Sequence, residues 1–190
     1  MPSELWNVPN CLSLSRLPLA AGLFACIATD AWLLGLIIFS IAAFTDWLDG
    51  WWARRFKQFT AIGRSLDPLT DKVLIGGAFI YLISVKESLV LPWMTTVIIS
   101  RELLVTGLRG MVEATGVKFA ADWFGKLKTF LQCVVLIGVL LLQTLRTNGW
   151  FVEVLTPLEW AYVILLYAML IATVGSGVQY VVKAARIFSK

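Results

Sequence analysis

The sequence predicts an all-α integral membrane protein, a single domain over residues 1–190 with six transmembrane helices. Three observations carry that expectation. Of 190 residues, 59% are hydrophobic and nine are tryptophan, with a mean hydropathy of +0.82, which is too apolar for a soluble domain of ordinary composition. Apolar runs recur along the whole chain, each with about 20 or more residues, enough to cross a hydrocarbon core of about 30 Å. No linker or low-complexity stretch divides them, so one domain is expected.

The elements follow in order. Residues Met1 to Pro9 have neither a basic n-region nor a small-residue cleavage site and read as an interfacial turn carrying Leu5 and Trp6, not as a cleavable signal. Span one runs from about Asn10 to Thr29, interrupted by Arg16 and Pro18; the lone arginine either snorkels to the interface or meets a lipid phosphate. Span two starts near Ala31 and passes through Ile41 and Phe44 into an acidic motif at its far end. Span three covers about Arg64 to Val85, span four Leu89 to Met111, span five Ala121 to Leu145 and span six Leu158 to Val182.

Lysine and arginine set the orientation. Arg54, Arg55, Lys57 and Arg64 fall between spans two and three; Arg101, Arg109, Lys118, Lys126 and Lys128 fall around the turn between four and five; Lys183, Arg186 and Lys190 close the chain. The opposite side has only Lys86 and Arg146. Both termini and the acidic motif are therefore expected on the cytoplasmic side. The net charge of +4 is mostly this asymmetry and suits anionic lipid headgroups, with no nucleic-acid-binding patch needed to explain it.

Function should be sought in DWLDGWWARRFKQFTAIGRSLDPLTD, residues 46–71, because ionisable groups between apolar spans are costly. On a helix, Asp46, Asp49, Gly50 and Ala53 share one face of about 100°. Asp67 and Asp71 are again one turn apart. If the chain turns at Gln58 to Gly63 and a helix starts near Arg64, with Pro68 in its first turn, the two acidic faces meet. Four converging carboxylates repel one another unless cations lie between them, which points to bound divalent metal. An all-oxygen donor set selects Mg²⁺ or Mn²⁺ over zinc. The small Gly50 and Ala53 let a flat ligand such as a nucleobase or a diphosphate approach the backbone closely.

The spacing D-x2-D-G-x2-A-R-x8-G-x3-D-x3-D resembles the signature of the CDP-alcohol phosphotransferases. The resemblance implies that family's helical bundle, a homodimer, two divalent ions shared by Asp46, Asp49, Asp67 and Asp71, and a bacterial inner (cytoplasmic) membrane location. It also implies a CDP-lipid pocket lined by Asp49, Gly50, Ala53, Arg54, Gly63 and Asp67. The chain has no histidine, which excludes Ser-His-Asp and Cys-His mechanisms and His-ligated metal. A catalytic base is then a carboxylate, and the resemblance assigns the role to Asp71. Cys11, Cys26 and Cys133 are scattered in apolar surroundings without a CxxC, which argues against disulfide or zinc roles.

A second constellation lies in SRELLVTGLRGMVEATGVKFAADWFGKLKT, residues 100–129. Arg101 and Arg109 stand about 80° apart on a helix and can reach one pocket. Lys126 and Lys128 stand about 200° apart, so they share a pocket only if the chain is irregular at Gly125; otherwise Lys128 snorkels at the interface. Arginine forks suit phosphate, and Arg101, Arg109, Lys126 and Lys128 are the candidate acceptor-phosphate residues.

RELLVTGLR, GKLKT and NVPNCLSLSRL are similar to the glycerophosphate-using branch of the family. That likeness implies transfer of a phosphatidyl group from CDP-diacylglycerol to glycerol 3-phosphate. Serine, inositol phosphate or phosphatidylglycerol as acceptor is the alternative within the same chemistry. A divalent-cation carrier is the alternative from another class. It should hold its acids near the midplane on broken helices in repeated halves, whereas these acids gather at one end and no internal repeat is found.

Overall fold

A computed structural model describes residues 8–56, 61–116 and 123–189. At positions 8–10, 47, 49–51, 53, 54, 56 and 61–68 it describes the backbone alone. Of the described residues 90% are helical, and none lies in a strand. Six long helices follow one another: α1 Val8–Ala28, α2 Trp32–Phe56, α3 Ala61–Leu82, α4 Pro92–Ala114, α5 Trp123–Asn148 and α6 Val152–Phe188. One 3-10 turn, Lys86–Ser88, joins α3 to α4.

Three of the six, α1 from Cys11, α5 and α6, are long and apolar enough to cross a membrane. The apolar part of α2, Trp32–Asp46, is shorter, because the acidic motif occupies the rest of the helix. α3 and α4 carry ionisable residues within their length, Asp71 and Lys72 in one and Arg101, Glu102 and Arg109 in the other. The protein is thus an integral membrane protein whose polar helix segments must be covered by its own packing. At 37 residues α6 extends about 55 Å, well beyond a bilayer core.

The boundaries differ from expectation in three informative places. α1 runs without interruption through Arg16 and Pro18. α3 runs from Ala61, a turn before Arg64, so Pro68 lies beyond the first turn. α6 starts at Val152, ahead of the expected Leu158, and runs through Pro157, its sixth residue. The expected interfacial turn at Leu5 and Trp6 lies outside the described residues, as does Lys118.

α1 packs against both α2 and α3, α6 packs against both α4 and α5, and α2 against α5 joins the two groups. The seam of α1 and α3 is close: a Cβ at Gly77 would lie 2.2 Å from Phe24 Cζ, and Phe24 stacks on Tyr81 at 5.0 Å between centroids. Only glycine permits that approach, which brings the polar part of α1 to the polar part of α3. The main core gathers Leu23, Phe39, Phe79, Met94, Leu136 and Leu166 from all six helices. A smaller cluster, Val105, Val112, Tyr180 and Ala184, holds α4 to α6 beside the second constellation.

Candidate functional site

The acidic site is built where α1, α2 and α3 meet. Arg16, wholly buried, sends Nη1 from α1 to Asp46 Oδ1 on α2 at 2.7 Å and donates from the same nitrogen to Asp71 Oδ1 on α3. The expected snorkelling of Arg16 is overturned, since the side chain is wholly buried and ties two carboxylates together. A buried cation is stable only with such partners, and here the partners remain partly exposed, with side-chain accessibilities of 52% for Asp46 and 35% for Asp71. Asp46 and Asp71 therefore share one nitrogen while keeping faces open to a ligand.

Asp49 lies one turn beyond Asp46 in α2, and Asp67 one turn before Asp71 in α3. Their side chains lie outside the described residues, as do those of Ala53, Arg54 and Arg64; Gly50 and Gly63 are described by backbone alone. Among the described residues no group of three metal-ligating side chains assembles. The donor chemistry nonetheless fits a hard divalent cation, because Asp46 and Asp71 converge on one point and the register sets a further carboxylate one turn away on each helix.

The second constellation surrounds Glu102 on α4. Lys128 of α5, buried, donates through Nζ to Glu102 Oε1, and Arg101 Nη1 donates to the same oxygen at 3.2 Å. Arg101 Nε donates to Ser176 Oγ of α6 at 3.1 Å. The guanidinium groups of Arg101 and Arg109 both lie over the Tyr180 ring, 5.6 and 6.0 Å from its centroid, and Arg109 Nη2 reaches Tyr180 Oη at 3.4 Å. Gly177 makes room for this arrangement, since a Cβ there would lie 3.2 Å from Arg101 Cγ. Arg109 Nε is sealed from solvent and meets no hydrogen-bond partner among the described residues.

α5 is regular from Trp123, so Lys126 and Lys128 diverge as the helical angle requires. It is Lys128 that points inward, because Glu102 awaits it there; the interface role is overturned. Lys126 is exposed.

Two residues that are not among the expected site residues lie beside the constellations. Lys72, next to Asp71 in α3, donates through Nζ to Thr106 Oγ1 of α4 at 2.6 Å, and Thr106 donates in turn to the carbonyl of Glu102 at 2.6 Å. Cys133 of α5 is close enough to Asp46, Asp71 and Lys128 to feel their charges. The carboxylates and the cations thus form neighbouring halves of one polar region. A signal for Lys72 was present in its adjacency to Asp71, but the partner helix was not.

A profile of the CDP-alcohol phosphatidyltransferase family matches residues 6–175, which include both halves. The chain belongs to that family. The family is in general dependent on divalent metal, in accord with the donor chemistry at Asp46 and Asp71. Similar proteins include the CDP-diacylglycerol–glycerol-3-phosphate 3-phosphatidyltransferase of Bacillus subtilis (strain 168), 39% identical over 74% of this chain and 79% of the relative. The enzyme of the same name from Haemophilus influenzae is 37% identical over 76% of this chain and 73% of its own length. A probable phosphatidylglycerophosphate synthase of Mycobacterium tuberculosis is 38% identical over 97% of this chain and 84% of the relative.

Proposed function

We propose that this CDP-alcohol phosphatidyltransferase moves a phosphatidyl group from CDP-diacylglycerol to sn-glycerol 3-phosphate, giving phosphatidylglycerophosphate and CMP. The observation that carries the reading is the juxtaposition of a carboxylate site with a cation cluster that has more positive charge than its one carboxylate can balance. A phosphorylated acceptor needs both. The names of relatives that match 74% to 97% of the chain support the same acceptor.

Asp46, Asp49, Asp67 and Asp71 would hold two divalent ions, Mg²⁺ or Mn²⁺, which when bound neutralise charge on the CMP leaving group and polarise the phosphorus. Asp49, Gly50, Ala53, Arg54, Gly63 and Asp67 line the cytidine and diphosphate pocket on this reading. Asp71 takes the proton of the acceptor hydroxyl as its oxygen bonds to the lipid-side phosphorus and the bond from that phosphorus to CMP breaks. Proton and leaving group are then accounted for without a phosphatidyl-enzyme intermediate. Arg16 holds Asp71 to Asp46, and so holds α3 to α2 while the base works. Arg101, Arg109 and Lys128 receive the acceptor phosphate, with Lys126 at the rim. All six helices span the membrane as one domain, the site and both termini face the cytoplasm, and the working unit is a homodimer.

A product assay with the purified protein, CDP-diacylglycerol and a panel of glycerol 3-phosphate, serine, inositol phosphate and phosphatidylglycerol tests this. Phosphatidylglycerophosphate should form, turnover should vanish in EDTA, and either Mg²⁺ or Mn²⁺ should restore it. Preference for another acceptor overturns the assignment, and full turnover in chelator overturns the metal role. Exchange of labelled CMP into CDP-lipid without acceptor would argue for a covalent intermediate.

A further inference from the structure

The cation cluster includes Lys72, which is not among the residues expected from the sequence. Lys72 lies within the electrostatic reach of Glu102, Arg101 and Arg109, and Lys128 within that of Glu102, Arg101 and Lys72. Among the described residues, Lys72, Arg101 and Lys128 therefore gather about the single carboxylate of Glu102 and Arg109 lies beside them on the Tyr180 ring, while Asp71, the other acid near Lys72, is engaged by Arg16. Glu113, one turn beyond Arg109, is exposed and forms no ion pair with it. Like charges at this density repel unless an anion lies among them.

Lys72, like Arg109 on the Tyr180 hydroxyl, is held without a carboxylate. Lys128 and Arg101 donate to a carboxylate, whereas the Lys72 ammonium donates to a neutral hydroxyl, that of Thr106. An ammonium has three N–H donors. Thr106 fixes the direction of the Lys72 side chain without neutralising it, because its own proton is committed to the Glu102 carbonyl. The chain neighbour of Lys72 is Asp71, so the same turn of α3 carries a base on one side and a cation aimed at α4 on the other.

We infer that Lys72 is the further cation of the acceptor-phosphate site, and that it determines acceptor specificity by fixing the phosphate at a set distance from Asp71. The inference rests on the reading of the protein as a glycerol-3-phosphate transferase. It adds a cation from α3 to those of α4 and α5, and it gives α3 a share in binding both substrates. An uncharged acceptor would leave this lysine without its anion, which gives the site a physical reason to prefer a phosphorylated alcohol.

The test uses the purified full chain with CDP-diacylglycerol, glycerol 3-phosphate and inorganic phosphate as a competing probe. Wild type must first use glycerol 3-phosphate; if it does not, the proposed function fails whatever Lys72 does. With that established, Lys72→Gln should raise the KM for glycerol 3-phosphate by about tenfold or more, the scale of a lost charge-assisted hydrogen bond. The KM for CDP-diacylglycerol should change by less than about twofold. The inhibition constant of inorganic phosphate against glycerol 3-phosphate should rise in parallel, and Lys72→Arg should recover most of the loss. Thr106→Val, at an exposed position, removes only the tether and should give a smaller rise. An unchanged acceptor KM in Lys72→Gln overturns the inference, as does an equal rise for both substrates. Should Lys72→Gln fail to fold, an unchanged acceptor KM in Thr106→Val decides against it alone.

Discussion

The two ends of the helix bundle treat their charges in opposite ways. At the end carrying the turn Lys86–Ser88, Arg146 of α5 pairs one to one with Glu159 of α6 at 2.8 Å and donates to the Glu87 carbonyl at 2.8 Å. Beside it Tyr162 donates to the Ser88 carbonyl, and Ser88 donates to that of Leu82. Every one of these contacts is matched. At the other end one arginine serves two aspartates and one glutamate serves an arginine and a lysine. Matched charges close an end of the bundle, whereas shared ones leave donors and acceptors over, and on the proposed function it is the second end that takes the substrates.

The contrast is most sharply tested at Asp71. Asp71→Asn should lower kcat by about 10²-fold or more, the usual scale for loss of a general base, while CDP-lipid binding stays largely intact because Asp46 still holds Arg16. Steady-state rates with both substrates varied would check it, and a loss confined to KM would remove the base role. Next in size is Arg109→Ala, which should raise the glycerol 3-phosphate KM by about tenfold or more and change the CDP-lipid KM little, since the lost contact is with one substrate. Equal effects on both would count against an acceptor site at Tyr180.

Arg16→Met should lower both stability and kcat. The expected stability loss is about 1–3 kcal/mol, below that for stranding a buried charge, because Asp46 and Asp71 are exposed enough to regain water. Thermal melting alongside kcat reads both. Arg146→Met should be the mildest. Its pair is partly exposed, with side-chain accessibilities of 25% and 38%, so about 1 kcal/mol or less is at stake, roughly 2–4 °C in Tm, with kcat per folded molecule unchanged. A drop in kcat for Arg146→Met matching that for Arg16→Met would erase the distinction between the ends.

Much of the site was legible because its chemistry lies along single helices. Asp46 to Asp49 and Asp67 to Asp71 are spacings within α2 and within α3, and helical periodicity alone puts each pair on one face. The 80° between Arg101 and Arg109 was likewise enough to anticipate that both reach one place, which turns out to be the ring of Tyr180. The boundary of α3 is less legible, because a proline at position 68 argues for a helix start near Arg64; proline beyond the first turn costs a hydrogen bond but does not forbid the helix once packing holds it.

By itself the sequence determined the all-helical membrane character, the six long helices, the acidic faces and the cations that gather near them, since hydropathy and spacing are properties of one chain segment at a time. The tertiary structure alone decided which charges meet. Arg16 found Asp46 and Asp71 because the close seam at Gly77 and Phe24 draws α1 onto α3, and no periodicity within α1 contains that information. Lys128 turned inward and Lys126 outward because Glu102 stands on only one side of α5, and Lys72 joined the second constellation because Thr106 faces it from α4. An ionisable group within a membrane protein must find its counter-charge on whichever helix is packed against it. That neighbour is set by contacts between helices distant in sequence, so the pairing becomes visible only once they are packed.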